Sequence, residues 1–472
     1  MFKRISIMLG MFALMVIVAQ AGAAQTMTGN VPVQVSGWFS VLWGDGIDGT
    51  QGSVQFYYLT TAEGERIQLL LDETNLDWLS LNQQYIQATG VWVQAEDPSQ
   101  PALFRVDSAM LETQPENEVS EAGVSGSKPW VSILCKFADV EDEPRDLDYF
   151  LQMFSSEYPG LDHFWREQSY GQVNLEGSSA VDWVELPYPR DYYVPPVGFM
   201  DLYPALVDCT SAADAYVDYT QYIGINMMFN GNLDGYAWGG GSTICLDGEC
   251  RFWSLTWEPP GGFKNIGVIE HETGHGFGLP HSSGDYGLTY DNAWDVMSDL
   301  WSNVARGAVD PVYGGMGQHT IAFHKALLGW IGNSQITTVP VGTHRTLTLE
   351  RVALPQSQNI MLVIVPIDEY PYRYLTIEAR QQVGYDFWLP AVEGWNQSVI
   401  LHEVDLTLEN LAHVIDIDGN GNTGDEGAMW LPGETYHDPQ TGIRITVNYA
   451  TPTGFVVTVN NRYDPPGFRG PE

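Results

Sequence analysis

Residues 271 to 281 constrain the fold of this chain more than any other segment. They read His-Glu-Thr-Gly-His-Gly-Phe-Gly-Leu-Pro-His. His271 and His275 are four residues apart, so on a helix both imidazoles project from one face with Cβ atoms about 6 Å apart. Gly278 can take a positive φ that ends the helix and turns the chain back, which brings His281 towards the same point. The spacing predicts a helix over 266–276 followed by a sharp turn.

Three imidazoles that meet at one point predict a zinc site. Three neutral histidine ligands leave a fourth position for water, as in catalytic zinc sites, whereas a structural site usually closes with a fourth protein ligand. Glu272 follows the first ligand and would lie beside that water, where a carboxylate can take its proton and pass it to the leaving amine. We therefore expect Zn²⁺ on His271, His275 and His281, with Glu272 as the catalytic general base.

Two glycines inside this helix carry a further expectation. Gly274 and Gly276 each cost up to ~1 kcal/mol relative to alanine in a helix interior. Such weak helix formers indicate that neighbouring chain or substrate must come close to the helix at these positions.

The zinc segment resembles a known group of enzymes. Residues 271 to 281 match the extended zinc signature of the metzincin metallopeptidases, and Trp294-Asp295-Val296-Met297-Ser298 stands where that group has a methionine-containing turn. The resemblance implies that Met297 is an apolar floor beneath the metal rather than a ligand. It also implies an α/β zincin catalytic domain that acts on proteins or peptides.

Within the metzincins, the chain is similar to bacterial secreted proteases of the immune inhibitor A and gametolysin types over residues 129 to 405. The immune inhibitor type usually carries Asp at the third ligand position, where this chain has His281. Some metzincins add a zinc-binding Tyr two residues after the turn methionine. Asp299 stands there, so no fifth ligand is expected.

The first 24 residues predict export. Lys3 and Arg4 precede an apolar run from Ile5 to Val18, and small residues follow at 21–24. This is the pattern of a secretory signal peptide, and the run is shorter than the roughly 20 residues that span a membrane. We expect a secreted protein without a membrane anchor. The formal net charge of −39 excludes nucleic acid as a favoured partner, because so anionic a surface repels phosphate.

Export permits disulfides among the four cysteines. Cys245 and Cys250 flank a predicted hairpin turn at Asp247-Gly248, which places them opposite each other at bonding distance. We predict a Cys245–Cys250 disulfide. Cys135 is either a buried thiol or the partner of Cys209.

Aromatic residues make up 12% of the chain, and with 49 Gly they favour a strand-rich protein. The predicted fold class is multidomain: an α/β zincin (metzincin-like) catalytic domain flanked by an N-terminal small β-barrel or sandwich and a C-terminal β-sandwich. The predicted segments are a signal peptide (1–24), an N-terminal β domain of OB-like or pro-domain type (25–112), a linker (113–128), the zinc metallopeptidase domain (129–335), the β-sandwich (336–463) and a tail (464–472).

The N-terminal β domain has two candidate roles. It is either an inhibitory pro-segment or a binding domain. No cysteine precedes residue 135, so a thiolate that caps the zinc is excluded. A carboxylate cap stays open.

Three weaker patterns complete the picture. Asp416, Asp418 and Asn420 precede Gly421 as in the first half of a calcium loop, and the alternative is a polar surface turn. Tyr290, Asp291 and Trp294 either shape the substrate pocket or simply pack. Residues 235–241 precede the zinc helix, where an edge strand would bind extended substrate through its backbone.

The predicted function is a secreted zinc endopeptidase. One alternative is a non-catalytic adhesin that binds glycan or matrix and keeps a vestigial zinc fold, although it does not explain the presence of Glu272. Another is a zinc hydrolase that acts on non-peptide substrates.

Overall fold

The computed structural model describes residues 31–47, 51–71, 78–95, 102–112, 124–284, 289–367, 372–408 and 410–462. The predicted signal peptide, most of the predicted linker and the C-terminal tail lie outside these residues. No helix within them is both long and apolar enough to cross a membrane.

The five strands predicted over 25–112 form a closed barrel in the order β1-β2-β3-β5-β4-β1. β3 and β5 are parallel, and the other pairs are antiparallel. Alternate side chains point inward, and Phe39, Leu59 and Phe104 are completely buried. The elements are β1 (Val33–Gly46), β2 (Val54–Thr60), β3 (Arg66–Leu70), α1 (Trp78–Leu81), β4 (Tyr85–Val93) and β5 (Leu103–Leu111).

The barrel continues into a central sheet through its first strand. The first half of β1 pairs with β4, and its last five residues, Leu42 to Gly46, pair antiparallel with a strand that precedes the zinc-motif helix. The following elements belong to this central part: β6 (Gly126–Ser127), β7 (Trp130–Lys136), α2 (Leu147–Met153), α3 (Leu161–Gln168), β8 (Val173–Asn174), β9 (Ser179–Glu185), α4 (Arg190–Tyr193), α5 (Leu202–Ala213), β10 (Gly224–Phe229), β11 (Tyr236–Leu246), β12 (Glu249–Glu258), α6 (Pro260–Phe263) and α7 (Ile266–Gly276).

One sheet of ten strands results, in the order β2-β3-β5-β4-β1-β11-β12-β10-β7-β9. β12, β10, β7 and β9 are parallel neighbours, and β11 runs antiparallel to β12. α7 has the predicted bounds, and every one of its residues is buried. Because α7 is covered on all sides, its polar side chains must meet other parts of the protein.

The C-terminal part contains two larger sheets, which share one core of buried apolar side chains. The first has the order β13-β21-β20-β19-β18-β16 and the second β17-β24-β23-β22. The elements are β13 (Ser282–Gly284), α8 (Trp301–Arg306), β14 (Val309–Asp310), β15 (Gly314–Gly315), α9 (Ala322–Leu327), β16 (Ile336–Thr338), β17 (Thr343–Glu350), β18 (Leu362–Pro366), β19 (Arg373–Gln381), β20 (Gln397–Asp405), β21 (Ala412–Val414), β22 (Thr435–His437), β23 (Ile443–Thr451) and β24 (Gly454–Asn461).

Both disulfides join central elements. Cys245 and Cys250 are opposed in the β11–β12 hairpin and bonded, which confirms the prediction. Asp247 and Gly248 both have positive φ, as a two-residue hairpin turn requires. Cys135 on β7 is bonded to Cys209 on α5, which decides between the two alternatives left by the sequence. Two disulfides indicate an oxidising, extracellular type of environment.

The predicted fold class is wrong in its central claim. Strands account for 39% of the residues and helices for 19%, and no helix-rich α/β zincin core is present in the described residues. One physical reason lies in β1, a 14-residue strand that stays paired with β2 in the barrel and also pairs with β11, so that it extends the central sheet. The helices are also short: the longest among the described residues is α5, with 12 residues.

Candidate metal centre

The turn after α7 brings the third histidine back to the first two. Gly278 has a φ of 96°, which is the predicted left-handed conformation at the end of the helix. The Nε2 atoms of His275 and His271 lie 3.0 Å apart, those of His275 and His281 3.1 Å, and those of His271 and His281 3.2 Å. All three side chains are buried. The structure therefore unites the three predicted ligands.

Backbone carbonyls fix the tautomer of two rings. His271 Nδ1 lies 2.7 Å from the carbonyl oxygen of Val296, and His275 Nδ1 lies 2.7 Å from that of Leu279. A carbonyl oxygen only accepts, so each Nδ1 carries the proton and donates. Each Nε2 then presents a lone pair to its neighbours. Lone pairs at this distance repel one another unless a cation lies between them.

The spacing of these nitrogens suits a metal ion. Tetrahedral Zn–N bonds of about 2.0–2.1 Å place two ligand nitrogens roughly 3.3 Å apart. The observed separations of 3.0–3.2 Å are close to this value. A ligating histidine is usually oriented by a hydrogen bond from its other ring nitrogen to a carbonyl or carboxylate oxygen. The cluster could therefore hold a metal ion.

A fourth side chain, which the sequence did not single out, reaches the same point. Asp45 lies at the end of β1, and its Oδ1 atom is 2.7 Å from His281 Nε2. Its Oδ2 atom is 3.3 Å from His275 Nε2 and 3.5 Å from His271 Nε2. Burial alone would raise the pKa of Asp45, but the charges of His281 and His271 lower this pKa well below its usual value. The Asp45 carboxylate thus lies at the corner that was expected to stay open.

β1 also covers the site with an aromatic ring. Trp43 stacks on His275, with ring centroids 4.5 Å apart and an angle of 9° between the planes. Residues 235–241 were predicted to form an edge strand for extended substrate. They lie largely in β11, and residues 236–240 are paired with β1. The protein's own N-terminal segment therefore occupies the edge expected to receive substrate.

Glu272 is completely buried beside the cluster. Neither carboxylate oxygen has a hydrogen-bond partner within the described part of the chain. Burial, and then the charges of Asp45 and Glu258, raise the pKa of Glu272 well above its usual value. Glu272 and His271 line a small cavity together with Asp45 and Tyr290. The carboxyl group thus faces the space next to the ligands, and no described residue ties it into a salt bridge or cap.

Met297 packs against the zinc-motif helix, and its role as an apolar floor beneath a metal stays a prediction. Met297 is fully buried, and a Cβ at Gly274 would come within 2.5 Å of its sulfur atom. A Cβ at Gly276 would come within 2.6 Å of the Trp130 ring. The expectation that neighbouring chain approaches both glycines is confirmed.

Asp295 holds the turn around Met297 in place. Its carboxylate accepts hydrogen bonds from Met297 N (3.1 Å) and from Ser282 Oγ (2.7 Å), and it pairs with His324 Nδ1 (2.9 Å). Burial opposes ionisation, but these partners, with the charge of His324 first, lower the pKa of Asp295. Because Ser282 follows His281 directly, one carboxylate connects the turn to the third ligand.

The three pocket candidates differ in their roles. Tyr290 donates to Asp45 Oδ1 at 2.6 Å and lines the cavity. Burial, and then the charge of Asp45, raise the pKa of Tyr290 well above its usual value, so its hydroxyl keeps its proton. Asp291 accepts from Ser283 Oγ at 2.9 Å, and Trp294 is buried and donates to Thr423 O at 2.9 Å. These last two hold loops in place.

The predicted calcium residues lie partly together. Carboxylate oxygens of Asp416, Asp418 and Asp425 lie within 4.8 Å of one another. Asn420 Nδ2 donates to Asp418 and Asp425 at 3.0 and 2.7 Å, so its amide orders the acids. Gly421 has a φ of 88°, as the loop pattern requires. Calcium binding stays a prediction.

The sequence signal for Asp45 was weak. It stands between Gly44 and Gly46 at the end of an apolar strand, and a Cβ at Gly44 would meet the Trp238 ring at 2.7 Å. Flanking glycines at a strand end indicate close backbone approach, but they do not identify what is approached.

No protein-family model matches this chain, and a search of curated proteins finds no relative.

Proposed function

We propose that this protein is a secreted zinc-dependent endopeptidase that its own N-terminal strand holds in an inactive state. The observation that carries the proposal is the convergence of three Nε2 atoms within 3.2 Å of one another beside Glu272, a buried carboxyl group with no partner in the described residues. A metal site that only supported the fold would not need Glu272.

Zinc is the metal that fits the donor set best. Imidazole nitrogens suit zinc, whereas calcium and magnesium take oxygen ligands. When bound, zinc supplies a Lewis acid that lowers the pKa of water to about 7 and polarises a carbonyl. His271 and His275 are pre-oriented for this role by Val296 O and Leu279 O.

Glu272 performs the proton transfers in this proposal. It follows His271 on α7, and it lines the cavity beside the ligands. It takes a proton from the attacking water and delivers it to the amine that leaves. No other side chain among the described residues hydrogen-bonds to the Glu272 carboxyl group, so none of them competes with the water for it.

A peptide substrate is favoured by the geometry of β1 and β11. Leu42 to Gly46 lie extended and antiparallel to Tyr236–Gly240, with Asp45 at the metal ligands. An extended peptide could pair with the same edge by backbone hydrogen bonds once β1 leaves. The resemblance of residues 271–281 to the metzincin signature supports the same reaction, and the residues at 1–24 support secretion.

Asp45 also favours a second candidate function. Three histidines and an aspartate form a complete tetrahedral set, and a closed set is typical of structural zinc sites. The protein would then be a non-catalytic binding protein, for example an adhesin, whose metal fixes β1 to α7. Substitution of Asp45 separates the two functions.

The test compares the full-length protein with Asp45→Ala and with Asp45→Ala/Glu272→Ala. Zinc content is measured by mass spectrometry, and cleavage is measured on a peptide library. We expect about one zinc per chain in all three, and cleavage above the wild-type level only in Asp45→Ala. Loss of the Asp45 carboxylate opens the corner and removes the side-chain contacts that hold the end of β1 at His281 and Tyr290, and only this variant also keeps the base. Asp191→Ala, at an exposed position, is the control.

Two results would contradict the proposed activity. If Asp45→Ala binds zinc but cleaves no peptide, the closed-site function is favoured. If the double variant cleaves as fast as Asp45→Ala, Glu272 is not the base.

A further inference from the structure

Tyr290 is the only side chain besides the three histidines that the described structure shows in hydrogen-bond contact with Asp45. Its hydroxyl donates to Asp45 Oδ1 at 2.6 Å, and the same oxygen lies 2.7 Å from His281 Nε2. The Tyr290 ring centroid is 6.1 Å from that of His281 and 6.4 Å from that of His271. The Tyr290 phenol therefore points at the corner that Asp45 occupies, and it is not itself a member of the ligand cluster.

The position of Asp45 Oδ1 indicates which kind of atom fits this corner of the site. It is a negatively charged oxygen, held on one side by the ligand cluster and on the other by the Tyr290 hydroxyl. In peptide hydrolysis, the carbonyl oxygen of the scissile bond becomes a negatively charged oxygen when water adds to the carbon. The carboxylate oxygen thus resembles that oxyanion, because both carry negative charge and both accept hydrogen bonds.

We propose that Tyr290 is a catalytic residue that donates a hydrogen bond to the oxyanion formed on the scissile carbonyl. This inference rests on the proposed endopeptidase function. The phenol keeps its proton throughout, so no bond to Tyr290 forms or breaks. Fixed donors aimed at developing charge in a dry site are among the largest contributions to catalysis, because they need no reorganisation during the reaction.

The surrounding loop holds Tyr290 in this position. Asp291, the next residue, accepts a hydrogen bond from Ser283 Oγ at 2.9 Å and another from Gly284 N. Asn292 N donates to Ser298 Oγ at 3.2 Å. The loop is thereby fixed to the strand that follows His281 and to the turn that contains Met297.

With β1 in place, the Tyr290 hydroxyl oxygen also accepts a hydrogen bond. Gly46 N donates to the Tyr290 oxygen at 3.1 Å. Both the acceptor Asp45 and the donor Gly46 belong to β1. When β1 leaves, the hydroxyl loses both contacts and its proton becomes available to a substrate oxygen.

The test uses the full-length zinc-loaded protein in the Asp45→Ala background, where the corner is open. Binding of acetohydroxamate, a small metal-binding oxyanion, is measured by calorimetry with Tyr290 intact and with Tyr290→Phe. We expect about 10-fold weaker binding after loss of the hydroxyl. On a cleaved peptide, we expect kcat to fall by roughly 10² to 10³ with little change in KM. Zinc content should be unchanged.

Tyr193→Phe is the matched control, because the Tyr193 hydroxyl also donates to a carboxylate, that of Asp208 at 2.7 Å, outside the metal centre. Equal acetohydroxamate affinity in the Tyr290→Phe and Tyr290 proteins would overturn the inference and leave the proposed function standing. Failure of the Asp45→Ala protein to bind zinc would overturn the proposed function, and this inference with it.

Discussion

At the scale of single residues, the candidate metal centre depends on which polar groups are buried. His271, His275 and Glu272 are all enclosed by protein, yet only the two histidines have backbone partners on the side away from the site. A buried carboxylate without a partner costs free energy of folding. A cost of this kind is expected at a site where the carboxylate serves the reaction rather than the fold.

Glu258 allows this electrostatic picture to be tested through pH. Burial, with a smaller contribution from the charge of Asp45, raises its pKa to about 8 from 4.5. The folded state then binds more protons than the unfolded state between these values, so the free energy of unfolding falls as pH rises from about 5 to 8, by up to about 1.4 kcal/mol per pH unit. We expect Glu258→Gln to flatten this part of the profile in metal-free protein, measured by urea unfolding at several pH values.

Glu249→Gln is the matched control for Glu258→Gln, because Glu249 lies on the same strand and is exposed. An unchanged slope in Glu258→Gln would show that Glu258 is already ionised in the folded state at neutral pH.

At the scale of elements, α7 is held by close packing rather than by helix propensity. Its glycines let Met297 and Trp130 approach the helix backbone, and Gly239 on β11 lies against Glu272. The helix is thereby pressed onto the sheet at the level of the ligands. The same closeness makes these positions intolerant of a methyl group.

Gly276→Ala tests the packing of α7. Alanine would gain up to ~1 kcal/mol in helix propensity. The new Cβ would, however, lie 2.6 Å from the buried indole of Trp130, and such overpacking costs about 1–3 kcal/mol. We expect a lower thermal unfolding midpoint. Gly332→Ala is the control, since the nearest atoms would lie 4.0 Å away and its φ of −64° suits alanine. Equal midpoints for wild type and Gly276→Ala would contradict the packing argument.

At the scale of the whole molecule, the candidate metal centre lies where the barrel, the central sheet and the C-terminal sheet meet. Asp45 comes from the strand shared by the barrel and the central sheet, and His271 and His275 come from α7. His281 directly precedes β13, which pairs with β21 in the C-terminal sheet. A metal ion at this point would tie together parts of the chain more than 200 residues apart.

Metal removal should therefore lower global stability. A metal that binds only the folded state stabilises it by about 2.7 kcal/mol at a free concentration 100 times its Kd. We expect a chelator to lower the thermal unfolding midpoint of the wild type, measured by calorimetry, and zinc to restore it. In His281→Ala the chelator should have a much smaller effect. The same shift in both proteins would show that the stabilising metal lies elsewhere.

Local chemistry in the sequence was enough to predict α7, the turn at Gly278, the five barrel strands and the Cys245–Cys250 disulfide. Each depends on residues close together in the chain, whose spacing or turn conformation is set by backbone geometry. The cluster of His271, His275 and His281 was predictable for the same reason, because only ten residues separate the first from the last.

The fold class and the fourth ligand position were decided by tertiary structure alone. Asp45 lies more than 220 residues before His271, and nothing local marks β1 as a strand that would extend beyond its barrel and pair with β11. That pairing depends on backbone hydrogen bonds, which every residue type can offer, and on a fit between distant surfaces. The sequence thus determined which groups can bind a metal, and the long-range pairing of strands determined that a carboxylate now occupies the position expected for water.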